Sequence, residues 1–311
     1  MNDGLLLLPS IQQTTQLTRG HSLLPLDNQE PNSLITEVLL FITGIAVSTF
    51  GTLVGFGGGV FMVPILIIFF QFPIELAIGT AMSALLPAAL ISTIFNIREK
   101  SVDYIVASLF QFPAMVGTVI GAFLVAYMPV LQMQILFALF VLTVGLYMLA
   151  TYKQKQKRKK GMMYRINRMP TSFIRKNHPK HLAYRLNGSL MAFFGLCTGT
   201  IAGLFGIGGG FLQTPIMIRI FKIPSQIAIS TSLFILVVTS FSGIMSHYWL
   251  GNIDWTKSMP LMLAFALGAL LGKGLKERNS ASQQASEKLI GLGLILAGVS
   301  VMVHITLKYE F

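Results

Sequence analysis

Charge is scarce in this chain. Of its 311 residues only 11% are Asp, Glu, Lys or Arg, against about 25% in a soluble globular protein, while 53% are apolar. The apolar runs are too long and too numerous for water-facing domains, which leaves a polytopic membrane protein. Cysteine occurs once, at Cys197. That excludes an intrachain disulfide, gives no reading of redox compartment, and fits a small buried hydrophobe. The His, Cys, Asp and Glu residues lack metal-ligand spacing, and neither a Ser-His-Asp set nor a paired-acid arrangement emerges. No Lys-Ser/Thr follows a glycine loop, as a nucleotide site requires. The expectation is therefore no enzyme, no metal and no cofactor.

What charge there is lies unevenly. The net charge is +12, from 23 basic and 11 acidic residues. Twelve of the basic residues fall between Tyr152 and Arg185 with no acid among them, and the other 11 balance the 11 acids. A single loop thus holds the surplus, as expected of a cytoplasmic connection. Contact with anionic lipid headgroups over 153–185 is a further expectation. Nucleic acid is not, because no aromatic platform accompanies the basic residues.

The chain also says one thing twice. Gly55-Phe56-Gly57-Gly58-Gly59 returns as Gly206-Ile207-Gly208-Gly209-Gly210, 151 positions later, and Pro64, Pro73, Thr80, Asp103, Gly117 and Gly121 return as Pro215, Pro224, Thr231, Asp254, Gly268 and Gly272. Twelve of the 26 gapless pairs from Gly55 to Thr80 are identical. Ten apolar segments emerge, at 35–55, 58–72, 76–97, 105–129 and 132–151, then 187–205, 208–222, 227–249, 256–275 and 287–307. A helix needs about 20 apolar residues to cross the hydrocarbon. The two segments opened by triple glycines have about 15, so they are expected to be broken or re-entrant, which membranes tolerate only beside protein or a water-filled cavity.

The reading is an all-α polytopic membrane protein of two inverted five-segment repeats with about 10 transmembrane or partly broken helices. A flexible tail (1–33) precedes the first repeat (34–151); a basic cytoplasmic loop (152–186), the second repeat (187–307) and a short tail (308–311) follow. Five segments per half require the halves to be inverted. Placing the basic loop inside leaves 20 of the 23 basic residues inside and only Arg19, Lys257 and Lys308 outside, in keeping with the positive-inside rule.

Candidate site residues follow from the repetition. Gly57, Gly58 and Gly59, and Gly208, Gly209 and Gly210, each open an apolar helix containing a proline. Glycine lets a ligand or another backbone come close, and a helix N-terminus presents unpaired N–H groups that suit an anion. The same glycines could instead serve close helix packing. Thr80, Ser83, Thr231 and Ser232 sit just inside the third segment of each half, where they could donate to substrate oxygens or only bond back to their own helix. Gln213 is a polar departure whose repeat mate is Met62. Asp103 and Asp254 read as helix caps, with Tyr104 and Trp255 as interfacial aromatics; His247 and His304 lie near the outer ends.

Gly-x-Gly-Gly-Gly, a proline five residues on, a Thr-Ser helix start and an Ile/Val-Asp step before a Gly-x-x-x-Gly span, all of it twice, resembles the TauE/SafE sulfite exporter family over 40–150 and 187–307. The first half departs in having Ala81-Met82-Ser83 where the second has Ser232 directly after Thr231, and the basic loop is long. The resemblance implies a permease of the cell membrane for a small inorganic or organic anion such as sulfite, a sulfonate, sulfoacetate or thiosulfate. It leaves the oligomeric state open. Alternating access at a midplane site, with export, is the expected mechanism. The alternatives are a membrane scaffold or sensor acting through the basic loop, and an anion channel.

Overall fold

The computed structural model describes residues 31–153, 172–177, 182–278 and 283–309. The expected tail up to residue 30, most of the basic loop, with its proposed lipid contacts, and the last two residues lie outside them. The chain divides into Met1–Ile35, of which the described part is the first turn of α1, and Thr36–Phe311, which holds every other described element. Ten helices and one strand pair make up the described residues. They are α1 (Pro31–Val54), α2 (Gly59–Ile68), α3 (Ile74–Arg98), α4 (Tyr104–Tyr127), α5 (Val130–Lys153), β1 (Ser172–Asn177), β2 (Leu182–Asn187), α6 (Gly188–Phe205), α7 (Gly210–Arg219), α8 (Ser225–Trp249), α9 (Trp255–Arg278) and α10 (Gln283–Tyr309).

Seven of these, α1, α3, α4, α5, α6, α8 and α9, are long and apolar enough to cross a membrane. They carry their apolar side chains outward as well as inward: Phe112, Val116, Ile120 and Phe123 on α4 are all exposed, as a lipid-facing surface requires. The two segments expected over 58–72 and 208–222 are shorter than the sequence suggested. Each is a ten-residue helix, about 15 Å long at 1.5 Å per residue, half the hydrocarbon thickness. The last residues of both apolar runs belong to turns, where Gln71 and Lys222 take φ of 54° and 57°. The region expected as loop up to 186 contains a second departure, the antiparallel pair β1–β2 with Ser172 opposite Asn187 and Asn177 opposite Leu182. Tyr184 and Leu186 of β2 are buried in one apolar cluster with Val106 and Phe110 of α4. Burying those two side chains fixes strand order on a stretch whose basic composition had masked it.

Local chemistry explains the boundaries. Gly55 (φ 88°) and Gly206 (φ 67°) end α1 and α6 in the left-handed conformation, which glycine takes without a Cβ penalty. Pro73 and Pro224 precede α3 and α8, their carbonyls accepting from Ala77 and Ala228 N–H at 2.9 Å in both cases. Asp103 caps α4 by accepting from Ile105 and Val106 N–H, and Asp254 accepts from Lys257 N–H at the start of α9.

Tertiary packing repeats at the same spacing of 151. On α4, Gly117 and Gly121 lie against the carbonyl oxygens of Leu196 and Thr200 on α6. Their mates on α9, Gly268 and Gly272, lie against the carbonyls of Ile45 and Thr49 on α1, the mates of Leu196 and Thr200. A Cβ at any of these glycines would collide with backbone, so glycine there sets the distance between helices. The first helix of each copy therefore packs on the fourth helix of the other. The most deeply buried long helices, α3 and α8, lie side by side, with Met82 of α3 against Gly243 of α8.

Candidate functional site

The two glycine stretches meet. A methyl group added at Gly59, the first residue of α2, would stand 3.0 Å from the carbonyl oxygen of Ile207, just before α7. Phe56 and Phe211 sit edge to face with ring centroids 5.4 Å apart. The N-termini of the two half-length helices thus adjoin, and Gly55 through Gly59 and Gly206 through Gly210 are all buried. A helix start leaves its first N–H groups without intrahelical partners and carries partial positive charge, so two adjoining starts concentrate donors with no Lys or Arg among the residues that form them.

Two leucines stand between the stretches. Leu85 of α3 and Leu236 of α8 are repeat mates and fully buried. A Cβ at Gly57 would lie 2.8 Å from Leu236 Cδ2 and 3.3 Å from Leu85 Cδ2; one at Gly59 would lie 2.6 Å, and one at Gly208 2.9 Å, from Leu85 Cδ1. Leu236 also abuts Gly208. Each leucine therefore touches both copies, and together they occupy the space the absent glycine side chains leave.

The hydroxyl candidates separate by what they already bond. Ser83 Oγ donates to Thr80 O at 2.7 Å. Thr231 Oγ1 accepts from Asp103 N–H at 3.1 Å, tying the start of α8 to the start of α4. Ser232 Oγ lies 2.9 Å from Ile229 O and 2.6 Å from Thr214 Oγ1, which itself reaches Gly210 O at 2.9 Å. Three contacts share two hydroxyl protons, so this pair is committed to joining the first turn of α7 to α8. Thr80 Oγ1 is buried without a partner; its neighbour Gly79 packs on the carbonyl of Asn252, in the loop that opens α9. Gln213 is fully buried and neither of its amide atoms has a partner. Its Nε2 is the nearest atom to the place a Cβ would take on Gly209.

Sequence reasoning missed Thr214, although the signal was present. Its mate is Val63, just as Met62 answers Gln213 and Ala81 answers Ser232. Three polar departures, all in the second copy, converge on the start of α7. It also missed Leu85 and Leu236, which nothing in the sequence separates from ordinary core leucines. His247, expected near an outer end, is fully buried, with Nε2 3.1 Å from Gly203 O and Nδ1 without a partner. Its mate Asn96 is also buried, with Nδ2 unpartnered. No cluster of three or more His, Cys, Asp or Glu that could hold a metal occurs among the described residues.

Comparison with known proteins agrees with this architecture. A family model described as "Sulfite exporter TauE/SafE" matches residues 40–301. The chain is 28% identical over 277 residues to a "probable membrane transporter protein", YunE, of Bacillus subtilis, covering 84% of this chain and 98% of that one. It is 30% identical over 258 residues to a "probable membrane transporter protein" of Xylella fastidiosa, covering 80% and 88%. A 25% identical "probable membrane transporter protein" of Methanocaldococcus jannaschii is matched over 75% of this chain and 82% of its own length. No solved structure matches.

Proposed function

We propose that this chain, a multi-pass membrane transporter that belongs to the TauE/SafE family, is a permease for a small anion, with sulfite or a short sulfonate as the cargo. The supporting observation is the meeting of α2 and α7 at their N-termini, Gly59 beside the Ile207 carbonyl. It supplies donor-rich backbone at the ends of two helices too short to cross a membrane, without a buried cation, and discontinuous helices at the junction of repeats are the usual place for a transporter's site. Glycine at the two helix starts keeps Cβ atoms away from those N–H groups, and Gln213 adds a side-chain donor.

The two copies run in opposite directions through the cell membrane, with the basic loop inside. That orientation rests on the charge distribution, since the basic surplus sits in one loop. It places the Lys273–Glu99 ion pair on the inner face and the Lys257–Glu37 pair, 3.8 Å apart, on the outer face. With Leu85 and Leu236 between the glycine stretches, the conformation described is closed at the crossing. Rocking of one copy against the other would withdraw the leucines and expose the site to one side at a time.

Export needs no coupling ion. Moving one negative charge outward through 100 mV, inside negative, releases about 2.3 kcal/mol, a gradient of about fifty-fold. The test is sulfite efflux from proteoliposomes under an imposed potassium-diffusion potential. Saturable efflux that accelerates with an inside-negative potential supports the reading, and efflux indifferent to potential overturns its electrogenic form.

A further inference from the structure

We infer that the anion site is one-sided: the guest binds at the N-terminus of α7 under the Gln213 amide, and the matching start of α2 serves as structure only. The inference rests on the permease reading and says which of two adjoining helix ends holds the cargo.

The two ends share a sequence but not an environment. At α2 the cap residue Gly58 is left-handed, φ 89°, and the space above it is taken by Val47, whose carbonyl oxygen would lie 2.9 Å from an added Cβ. At α7 the cap residue Gly209 has ordinary helical dihedrals, φ −63° and ψ −24°, and the space above it is taken by the amide of Gln213. A carbonyl oxygen repels an anion approaching the helix start. An amide N–H attracts one. The residue corresponding to Val47 is Thr198, whose hydroxyl is spent on the Phe194 and Gly195 carbonyls.

Gln213 is also costly where it stands. It is fully buried, and both its donor and its acceptor lack partners, an arrangement that loses the amide's hydration without replacement. The first copy shows that the fold does not need it, since Met62 fills the same place and is equally buried. A small oxyanion at the α7 start would accept from Nε2 together with the first-turn N–H groups and so give the amide donor the partner it lacks. Thr214 and Ser232, joined at 2.6 Å, act as positioning residues that hold this turn against α8.

Gln213→Met tests the assignment, since it installs the side chain of the repeat mate at nearly equal length. Met62→Leu is the control. Full-length protein is compared for sulfite-induced thermal shift in detergent and for sulfite flux in proteoliposomes. The inference expects the Gln213→Met variant to melt, without sulfite, at or above the wild-type temperature. Its sulfite-induced shift should fall to below about a fifth, with KM for sulfite raised at least about tenfold. Met62→Leu should stay within about twofold of wild type. Unchanged KM and shift in Gln213→Met, or an equal loss in Met62→Leu, overturns the one-sided site while leaving the permease reading intact. So does a Gln213→Met protein that melts lower without sulfite, because the amide would then be a bonded core group. A wild-type protein with neither flux nor shift for sulfite, thiosulfate and short sulfonates overturns the permease reading, and the site with it.

Discussion

Removing the leucines at the crossing separates a seal from ordinary core. Leu85 and Leu236 each touch both glycine stretches, from opposite copies, and both are fully buried. Truncating a buried leucine to alanine costs about 2–5 kcal/mol. Because the pair fills one shared space, the double variant should be non-additive, with a coupling of about 0.5–3 kcal/mol. Each truncation also opens room on the order of one or two waters, at about 30 Å³ per water, beside unpaired helix N–H groups that would welcome it. The expected outcome for Leu85→Ala and Leu236→Ala is a lower melting temperature together with a sulfite leak that does not saturate, largest in the double variant. The assay is sulfite efflux from proteoliposomes against internal concentration, with melting followed in parallel. Variants that lose stability yet keep wild-type saturable flux and no leak would show that the leucines are core alone, and the closed-crossing argument would fail.

Other outcomes follow from the same contacts. Gly117→Ala and Gly268→Ala should lower the melting temperature by similar amounts, since each Cβ would press on the equivalent carbonyl of a partner helix, while Gly274→Ala, with nothing within 4 Å, should be neutral or slightly stabilising; unequal effects of the first two would argue against equivalent packing. Tyr184→Phe should cost about 1.5–3 kcal/mol by removing a buried hydrogen bond from its hydroxyl to the Asp103 carboxylate, read as earlier proteolysis of the β1–β2 hairpin and a lower melting temperature. Asp103→Ala should cost more, because that side chain also caps α4, at about 0.5–2 kcal/mol for the cap. Glu99→Gln, which neutralises the exposed end of an ion pair with the largely covered Lys273, should change stability by about 1 kcal/mol or less.

The Tyr184 bond also bears on the basic loop. Its last strand is built into the apolar cluster that includes Val106 and Phe110, and Asp103, which receives the Tyr184 hydroxyl, passes its own N–H to Thr231. Deletions that reach β2 should therefore disturb the membrane body itself, whatever the rest of the loop does.

Much of this was legible in the residues. Apolar length and scarce charge dictate helices that cross a membrane, because unpaired backbone cannot survive in lipid. The gapless 151-residue repeat carried the duplication, and Gly55, Pro73, Asp103 and their mates marked helix ends, since each acts through local backbone geometry or a local cap. The Met62/Gln213, Val63/Thr214 and Ala81/Ser232 mismatches were also there to be read. The tertiary structure decided which copy's first helix packs on which fourth helix and that the two glycine stretches touch. It also decided that Leu85 and Leu236 lie between them, that Ser232 and Thr231 are already bonded, and that of Gln213, Thr214 and Ser232 only Gln213 is left unpaired. Most of those relations join segments far apart in the chain, as Gly59 to Ile207 or Asp103 to Thr231. They depend on which side chains fill a common space, and hydrophobic pattern constrains a residue's depth without naming the residue it meets.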